Sequence, residues 1–301
     1  MTAQKEITVN TVQGIGDIFW VYQKLSPYFD KINLNILCTR FDIVQQRSKA
    51  FAKMLPKVES FTFMKVSDST YSELAKSNVK IDQILESYQS FIDGKPLEFI
   101  NTEFDSLLIG AESATVNYAV NYPLENGIHI CDIDPHRLVE EYVSLSGVPD
   151  CVRAEDYLCL FVAGSKNDKL WTPKLWVELV DRLMPLLNLK KIVLVGAEWD
   201  VPVQSEIYDL LKDRYEVLDV VNKSDLSQTI DTIRRSKFFL AYQSGLSIIA
   251  DNYDVRQLMI YFEELAPMQY TWCKLKNKES SIFQAATFDK SIDHILSQLV
   301  I

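Results

Sequence analysis

Short apolar runs of strand length alternate with stretches of helical periodicity along this chain, and the alternation restricts the possible fold more than any other feature. In the first half, the predicted strands are residues 7–12, 32–38, 58–63, 105–109 and 127–131. Between them lie predicted helices that include residues 17–29, 43–55 and 81–92. Strands that alternate with helices in this way predict an open, parallel α/β sheet.

One break divides the alternation into two parts. A predicted helix at 135–146 ends at Gly147-Val148-Pro149, and a glycine followed closely by a proline is a helix stop. The pattern then starts again, with strands at 157–162, 191–195, 215–220, 238–242 and 257–262 and helices at 173–187, 201–213, 226–235 and 245–252. We therefore expect domains at 1–148 and 149–285, followed by a C-terminal segment at 286–301.

Each half predicts a Rossmann-like, doubly wound parallel sheet, and the C-terminal segment contains a predicted helix at 288–300. Its apolar side chains at Ile292, Ile295 and Leu299 form one face, which we expect to pack back towards the N-terminal domain. Open α/β sheets bind ligands outside the carboxyl ends of their strands. Two such domains predict a central cleft that they face together.

Composition narrows the class of protein further. At 301 residues and 48% hydrophobic composition, the chain is long enough for two cored domains, and no apolar run approaches the roughly 20 residues of a membrane span. The first residues lack the pattern of a signal peptide, and the five cysteines form no C-x-x-C pair. These features predict a cytoplasmic protein with free thiols. They leave open that the protein makes peripheral contact with a membrane-bound acceptor, that is, a second substrate held at a membrane.

The charge is acidic in both halves of the chain. The net charge is -10, from 31 basic and 41 acidic residues, and cutting after Gly147 gives 13 against 19 and then 18 against 22. Binding to duplex nucleic acid depends on clustered Lys and Arg that neutralise phosphates. The composition therefore argues against duplex nucleic acid as a partner.

A glycine-containing turn, Gly14-Ile15-Gly16-Asp17, follows the first predicted strand. It resembles the start of the dinucleotide-binding pattern G-x-G-x-x-G, but Phe19 occupies the third glycine position. Asp17 would also oppose a diphosphate at this helix end. These two departures argue against a nicotinamide or flavin enzyme.

Asp17 has two interpretations from position alone. The dipole at a helix N-terminus stabilises an ionised carboxylate, which is then available to accept the proton of an alcohol. An Asp before an apolar run is also most often only an N-cap. The local sequence supports both interpretations equally.

A second glycine-containing loop follows the first strand of the second half. Gly164 allows a ligand to approach the backbone closely, and Ser165 and Lys169 offer a hydroxyl and a cation to phosphate oxygens. An ordinary solvated loop has the same composition. The loop alone therefore indicates a phosphate site without establishing it.

In the order of these motifs, the chain resembles the ADP-heptose:lipopolysaccharide heptosyltransferase family, which consists of inverting glycosyltransferases of GT-B fold. Gly14, Gly16 and Asp17 match its acceptor-side loop, whose aspartate is the catalytic base. Asp168-Lys169-Leu170-Trp171, followed by Trp176, is similar to its donor-phosphate loop. The resemblance implies that Asp17 is the base and that Lys169, with Gly164 and Ser165 beside it, binds the donor diphosphate.

Two further segments carry the resemblance. The turn that ends in Asp200 is similar to the turn whose acidic residue holds the donor ribose. Gln243-Ser244-Gly245-Leu246 is similar to an Asp-Thr-Gly-x-x-His turn that contacts the diphosphate. Gln243 replaces the aspartate and Ile248 replaces the histidine, so the donor contacts differ from those of a standard family member.

The resemblance implies an inverting, metal-independent transferase of hexosyl or heptosyl type. It takes the sugar from a nucleoside-diphosphate sugar to a hydroxyl of a saccharide or lipopolysaccharide-type glycan, with no cofactor and no metal. The acidic pair Asp132 and Asp134 is interpreted as a strand end and a helix cap. Two alternatives stay open: a protein that binds a nucleotide sugar without turnover, and a GT-B transferase that acts on hydroxylated bases of nucleic acid.

Three tryptophans could either contact a ligand or pack in a core. Trp171, Trp176 and Trp199 have flat faces that suit a nucleobase, but tryptophans at helical spacing usually pack in a core. We therefore expect all three to be buried.

Overall fold

The computed structural model describes residues 6–12, 14–26, 29–38, 41–65, 107–108, 143–149, 154–162, 171–242, 244–261, 283–287, 290–297 and 299. The predicted strand at 127–131 and the predicted helices at 81–92 and 135–146 lie outside these residues, as does the acidic pair Asp132 and Asp134.

The chain divides into two compact units, Met1–Ser146 and Gly147–Ile301. The division falls two residues before the boundary predicted from the helix stop. Gly147 has a φ of +83°, a conformation that L side chains rarely adopt. An added Cβ would lie 3.9 Å from its nearest neighbour, Ser227 Cβ, so there is room for a side chain. Glycine therefore suits this junction because of its backbone conformation and not because of space.

The first unit contains a parallel sheet with strand order β3-β2-β1-β4. Its strands are β1 Glu6–Val12, β2 Lys31–Cys38, β3 Val58–Lys65 and β4 Leu107–Leu108, and its helices are α1 Ile15–Leu25 and α2 Phe41–Ala52. Because β2 and β4 flank β1 on opposite sides, the direction of winding changes beside β1. The loop that follows β1 therefore lies where open α/β sheets bind ligands.

The second unit contains a six-stranded parallel sheet with strand order β10-β9-β8-β5-β6-β7. The strands are β5 Glu155–Phe161, β6 Lys191–Leu194, β7 Glu216–Asp219, β8 Ser236–Tyr242, β9 Gln257–Tyr261 and β10 Phe283–Thr287. The helices are α3 Pro173–Leu187, α4 Val201–Leu211, α5 Leu226–Arg235, α6 Gly245–Asn252 and α7 Ile292–Ser297. The winding changes direction between β5 and β8.

Helices cover both faces of this second sheet. One face, which includes Leu158 and Leu240, shares a buried core with apolar residues of α3, α4 and α7. On the other face Cys159 and Phe239 are also fully buried, and α5 and α6 contact the central strands. Burial on both faces explains why these strands are continuously apolar, as is typical of parallel sheets. The predicted α/β fold with doubly wound parallel sheets is thereby confirmed.

The limits of several elements differ from the sequence expectation. Helix α1 begins at Ile15 instead of residue 17 and ends before Pro27, whose missing N–H cannot continue the helical ladder. Strand β10 was not predicted, because Phe283-Gln284-Ala285-Ala286-Thr287 has little of the β-branched character that marks strands. By contrast, α3, α5 and α6 have the predicted limits.

The C-terminal helix, α7, packs within the second unit. Ile292 and Ile295 are buried in the core that α3 lines, and Arg182 of α3 pairs with Asp293 at 2.6 Å. The predicted packing of this helix towards the N-terminal domain stays a prediction. Within the described ranges no helix is both long enough and apolar enough to cross a bilayer.

Candidate functional site

The loop after β1 is short and leads directly into α1. Gly14 occupies the N-cap position in an extended conformation, Gly16 is buried in the first turn, and Asp17 is the third residue of the helix. The alternative that Asp17 is the N-cap is therefore wrong. The backbone of Asp17 therefore lies in the first turn of α1, a position at which helix dipoles in general stabilise carboxylates.

Helix α1 is firmly held in the first unit. Ile18 and Phe19 are fully buried, and the Phe19 ring meets the Phe51 ring of α2 edge to face, with centroids 5.7 Å apart. At the other end of the helix, the Tyr22 hydroxyl accepts a hydrogen bond from the Lys57 backbone N–H at 3.3 Å. Burial raises the pKa of this hydroxyl above its ordinary value. These contacts fix the helix whose first turn carries Asp17.

In the second unit, the turn after β8 lies beside the point where the winding reverses. Ser244 is the N-cap of α6 with an extended backbone, and Gly245 and Leu246 are the first two helical residues. The Ser244 Oγ is buried and has no hydrogen-bond partner among the described residues. The first N–H groups of a helix have no intrahelical partner either. This helix start therefore offers an anion a hydroxyl, the backbone N–H groups of a first helical turn and the positive end of the dipole.

Four of the predicted donor-site residues lie outside the described residues: Gly164, Ser165, Lys169 and Gln243. The strands that bracket them are described. Strand β5 ends at Phe161, β8 ends at Tyr242, and the two strands pair in parallel with Phe161 opposite Ala241. The loop that begins after Val162 and the turn at Ser244 therefore follow neighbouring strands at the same edge of the sheet.

A hydrogen bond and an aromatic cluster join these two segments. The Trp171 backbone N–H donates to the Tyr242 hydroxyl at 2.8 Å, so the chain just before α3 is tied to the end of β8. The Trp176 ring lies between its two partners, 5.1 Å from Trp171 and 5.0 Å from Tyr242. Trp171 and Trp176 are buried, which confirms the expected core role of both. Burial also raises the pKa of the Tyr242 hydroxyl.

A buried hydrogen bond from the neighbouring strand β9 holds the first turn of α6. The Ser247 carbonyl accepts a hydrogen bond from Gln257 Nε2 at 2.9 Å, and Ser247 and Gln257 are both fully buried. Ile248, at the position of the family's histidine, is also buried and presents no polar group. The start of α6 is thus supported by the hydrogen bond from Gln257 and by the buried side chain of Ile248. The supporting roles of Gln257 and Tyr242 escape sequence reasoning, since both residues lie within ordinary strand patterns.

The turn after β6 is built around Asp200. Its carboxylate is buried and accepts a hydrogen bond from the Ala197 backbone N–H at 2.8 Å. A Cβ at Gly196 would approach Asp200 Cβ and Oδ2 to 3.0 Å, so a larger residue there would require the Asp200 side chain to shift by a few tenths of an ångström. The Asn222 backbone N–H donates to the Gly196 carbonyl at 3.1 Å and attaches the turn to the chain after β7. Asp200 is the residue predicted to hold the donor ribose. At least one of its carboxylate oxygens stabilises the turn in which Asp200 itself lies.

The other two residues of this turn face outward. Glu198 is exposed, and Trp199 retains 46% of its accessible surface. The expectation that Trp199 is buried is therefore wrong. The short helical turn at 198–200 directs Asp200 inward, and this leaves its two neighbours on the surface.

A metal ion in a protein is held by a group of side chains that bind it together. Among the residues that the structure describes, no group of three or more His, Cys, Asp or Glu side chains has an arrangement that could hold a metal ion.

Comparison with known proteins places the fold. No family model and no curated protein matches the sequence. Heptosyltransferase WaaC of E. coli, solved with ADP, is 12% identical and superposes with a TM-score of 0.54 over 97% of this chain and 98% of that chain. The E. coli ADP-heptose LPS heptosyltransferase II is 13% identical, with a TM-score of 0.56 over 97% of each chain.

A third solved structure agrees with these two. The glycosyl transferase family 9 protein of Veillonella parvula is 10% identical, with a TM-score of 0.53 over 99% of this chain and 90% of that chain. The predicted relation to heptosyltransferases is thereby confirmed at the level of the fold. The chain has the α/β architecture of GT-B glycosyltransferases in both of its units.

Proposed function

We propose that this protein is an inverting glycosyltransferase that takes a sugar from a nucleoside-diphosphate sugar to a hydroxyl group of a glycan acceptor. The observation that carries the proposal is the start of α6. Ser244 brings a buried hydroxyl without a partner among the described residues to a helix N-terminus beside the reversal of winding. That combination suits a diphosphate.

The donor side of the reaction belongs to the second unit. Ser244 and the amides of Gly245 and Leu246 bind the diphosphate, and Lys169 adds a cation from the loop after β5. Gly164 and Ser165 let the backbone of that loop approach the phosphates. Hydrogen bonds and a fixed positive charge stabilise the negative charge that develops on the leaving diphosphate. In this scheme Lys169 and the helix start supply the charge stabilisation, so the reaction needs no metal ion.

Asp17 of the first unit acts on the acceptor. Its carboxylate takes the proton from the acceptor hydroxyl as the acceptor oxygen bonds to the anomeric carbon, and the bond from that carbon to the diphosphate oxygen breaks. The nucleoside diphosphate leaves with the bonding electrons. Because attack comes from the face opposite the leaving group, the anomeric configuration is inverted.

Binding of the donor is the first experiment. Purified protein is screened by thermal shift against nucleoside diphosphates and nucleotide sugars, together with Lys169→Ala, Ser244→Ala and Asp17→Asn. We expect one nucleotide class to raise Tm, the rise to shrink in Lys169→Ala and Ser244→Ala, and the rise to persist in Asp17→Asn, since only bound ligand stabilises the folded state. No shift with any nucleotide would contradict the proposal.

Turnover tests the role of Asp17 separately. With a donor identified by binding, Asp17→Asn is expected to lower kcat by about 100- to 10,000-fold, the usual contribution of a general base. NMR of the product should show an inverted anomeric centre, and a retained configuration would contradict the mechanism. Donor binding without transfer to any acceptor would instead favour the alternative of a nucleotide-sugar-binding protein, which the replacements at Gln243 and Ile248 motivate.

A further inference from the structure

We infer that Trp199 is a specificity-determining residue on which the nucleobase of the donor stacks. The inference rests on the proposed donor site and adds a residue to it. Of the large apolar side chains that are exposed in the described ranges, five are aliphatic and Trp199 alone is aromatic. Trp171 and Trp176 of the same unit are buried, whereas Trp199 presents its ring to solvent, where a ligand can reach it.

The position of Trp199 in the sheet supports a role in donor binding. It belongs to the turn at the carboxyl end of β6, and β6 and β8 pair with opposite sides of β5. Adjacent strands are about 4.8 Å apart, so the ends of β6 and β8 are about 10 Å apart. A ribose and a phosphate bridge a gap of this size. A diphosphate bound at Ser244 would therefore place its base near the turn after β6.

The turn that carries Trp199 is also held by contacts between its own residues. The hydrogen bond from the Ala197 N–H to the Asp200 carboxylate closes it, and the glycine at 196 lets the two segments approach closely. A platform held in place by its own turn loses little conformational freedom when a ligand binds. Support of this kind is expected of a stacking surface.

The chemistry of an indole determines the selectivity. Stacking uses the flat face that every base has, so it tolerates changes at the base edge and grows with the area of the ring system. We therefore expect purine nucleoside diphosphates to depend on Trp199 more than pyrimidine ones do. Inorganic pyrophosphate has no base and should not depend on Trp199.

The test compares three probes on four proteins. The affinities of ADP, UDP and inorganic pyrophosphate are measured by calorimetry for the wild type, Trp199→Ala, Trp199→Phe and Leu186→Ala. Leu186 is a matched control, because it is an exposed apolar residue of the same unit. It lies near the C-terminal end of α3. We expect Trp199→Ala to weaken ADP about tenfold, UDP less, and pyrophosphate not at all. Trp199→Phe should recover part of the ADP affinity, and Leu186→Ala should match the wild type.

The possible outcomes separate this inference from the proposed function. Equal ADP affinity in the wild type and Trp199→Ala overturns the role of Trp199 while the donor site stands. A parallel loss of ADP and pyrophosphate affinity in Trp199→Ala also overturns it, because the substitution then acts on the phosphate site or on the fold. If the wild type binds none of the three probes, the proposed function and this inference both fail.

Discussion

Tyr242 shows how one hydroxyl can link two segments of a candidate site. It is fully buried at the end of β8, and it accepts the Trp171 N–H from the chain that follows the 163–170 loop. Its ring also contacts Trp176 in the first turn of α3. If nucleotide binds as proposed, Tyr242 contributes to binding indirectly, by fixing the position of Trp171. Its role is therefore positional and not catalytic.

Replacement of Tyr242 by Phe should affect both stability and ligand binding. The Trp171 N–H would be left buried without its acceptor, so the free energy of unfolding should fall by about 1–3 kcal/mol. Because Trp171 would lose the hydrogen bond that holds it, nucleotide should also bind more weakly. Urea unfolding and a nucleotide titration measure the two effects.

Tyr157→Phe is the matched control for this substitution. Tyr157 is also buried in the second unit, and its hydroxyl donates to the Thr232 carbonyl at 2.6 Å, on α5. The control should lose stability to a similar degree while its nucleotide affinity stays unchanged. A Tyr242→Phe protein with unaltered nucleotide affinity would contradict the positioning role.

At the scale of the element, α5 has caps at both ends. Asp225 is its N-cap and accepts a hydrogen bond from the Gln228 N–H at 2.8 Å, and the Gln228 side chain accepts from the Asp225 N–H at 2.9 Å. The last turn carries Arg234 and Arg235, which complement the negative end of the helix dipole and pair with Asp231. The helix has the limits that were predicted from the periodicity of the sequence.

Asp225→Ala should lower the free energy of unfolding by about 0.5–2 kcal/mol, because the reciprocal cap is lost. The effect should depend on pH. Hydrogen bonds from the Gln228 backbone and the Ser227 hydroxyl hold the pKa of the Asp225 carboxyl below its ordinary 3.8. A lowered pKa gives stability that is present above pH 3.8 and is lost as the pH falls through the folded-state pKa.

Urea titrations over a series of pH values check this prediction. The stability gap between wild type and Asp225→Ala should be constant at neutral pH and narrow below pH 3.8. Glu206→Ala removes the same charge from an exposed position within α4 and should change stability little at any pH. If the gap were equally large in acid, the cap would not depend on the ionised carboxylate.

At the scale of the whole molecule, the second unit has its own complete core. Its six strands pair only with one another among the described residues, and its helices bury their apolar residues against that sheet. The C-terminal helix belongs to this core through Ile292 and Ile295. A unit of about 150 residues with such a core lies in the usual size range of independently folding domains.

Residues 147–301 expressed alone should therefore unfold in one cooperative transition and retain binding of nucleoside diphosphates. Circular dichroism during urea unfolding and a nucleotide titration measure the two properties. Ending the fragment at residue 289 removes α7 and exposes the core that Ile292 and Ile295 cover, so this shorter fragment should be clearly less stable. A broad, non-cooperative transition for 147–301 would show that the unit is not an independent domain.

The amino-acid sequence alone determined the alternation of strands and helices, the parallel sheets and the limits of α3, α5 and α6, because these follow from local periodicity, caps and breakers. Tertiary structure decided the order of the strands, the addition of β10 at the sheet edge and the packing of α7 on α3, since these depend on contacts between distant segments. The candidate site divides in the same way. Motif order predicted Asp17, Asp200 and Ser244 as site residues, whereas only the tertiary structure directs the Asp200 side chain inward and leaves Trp199 exposed.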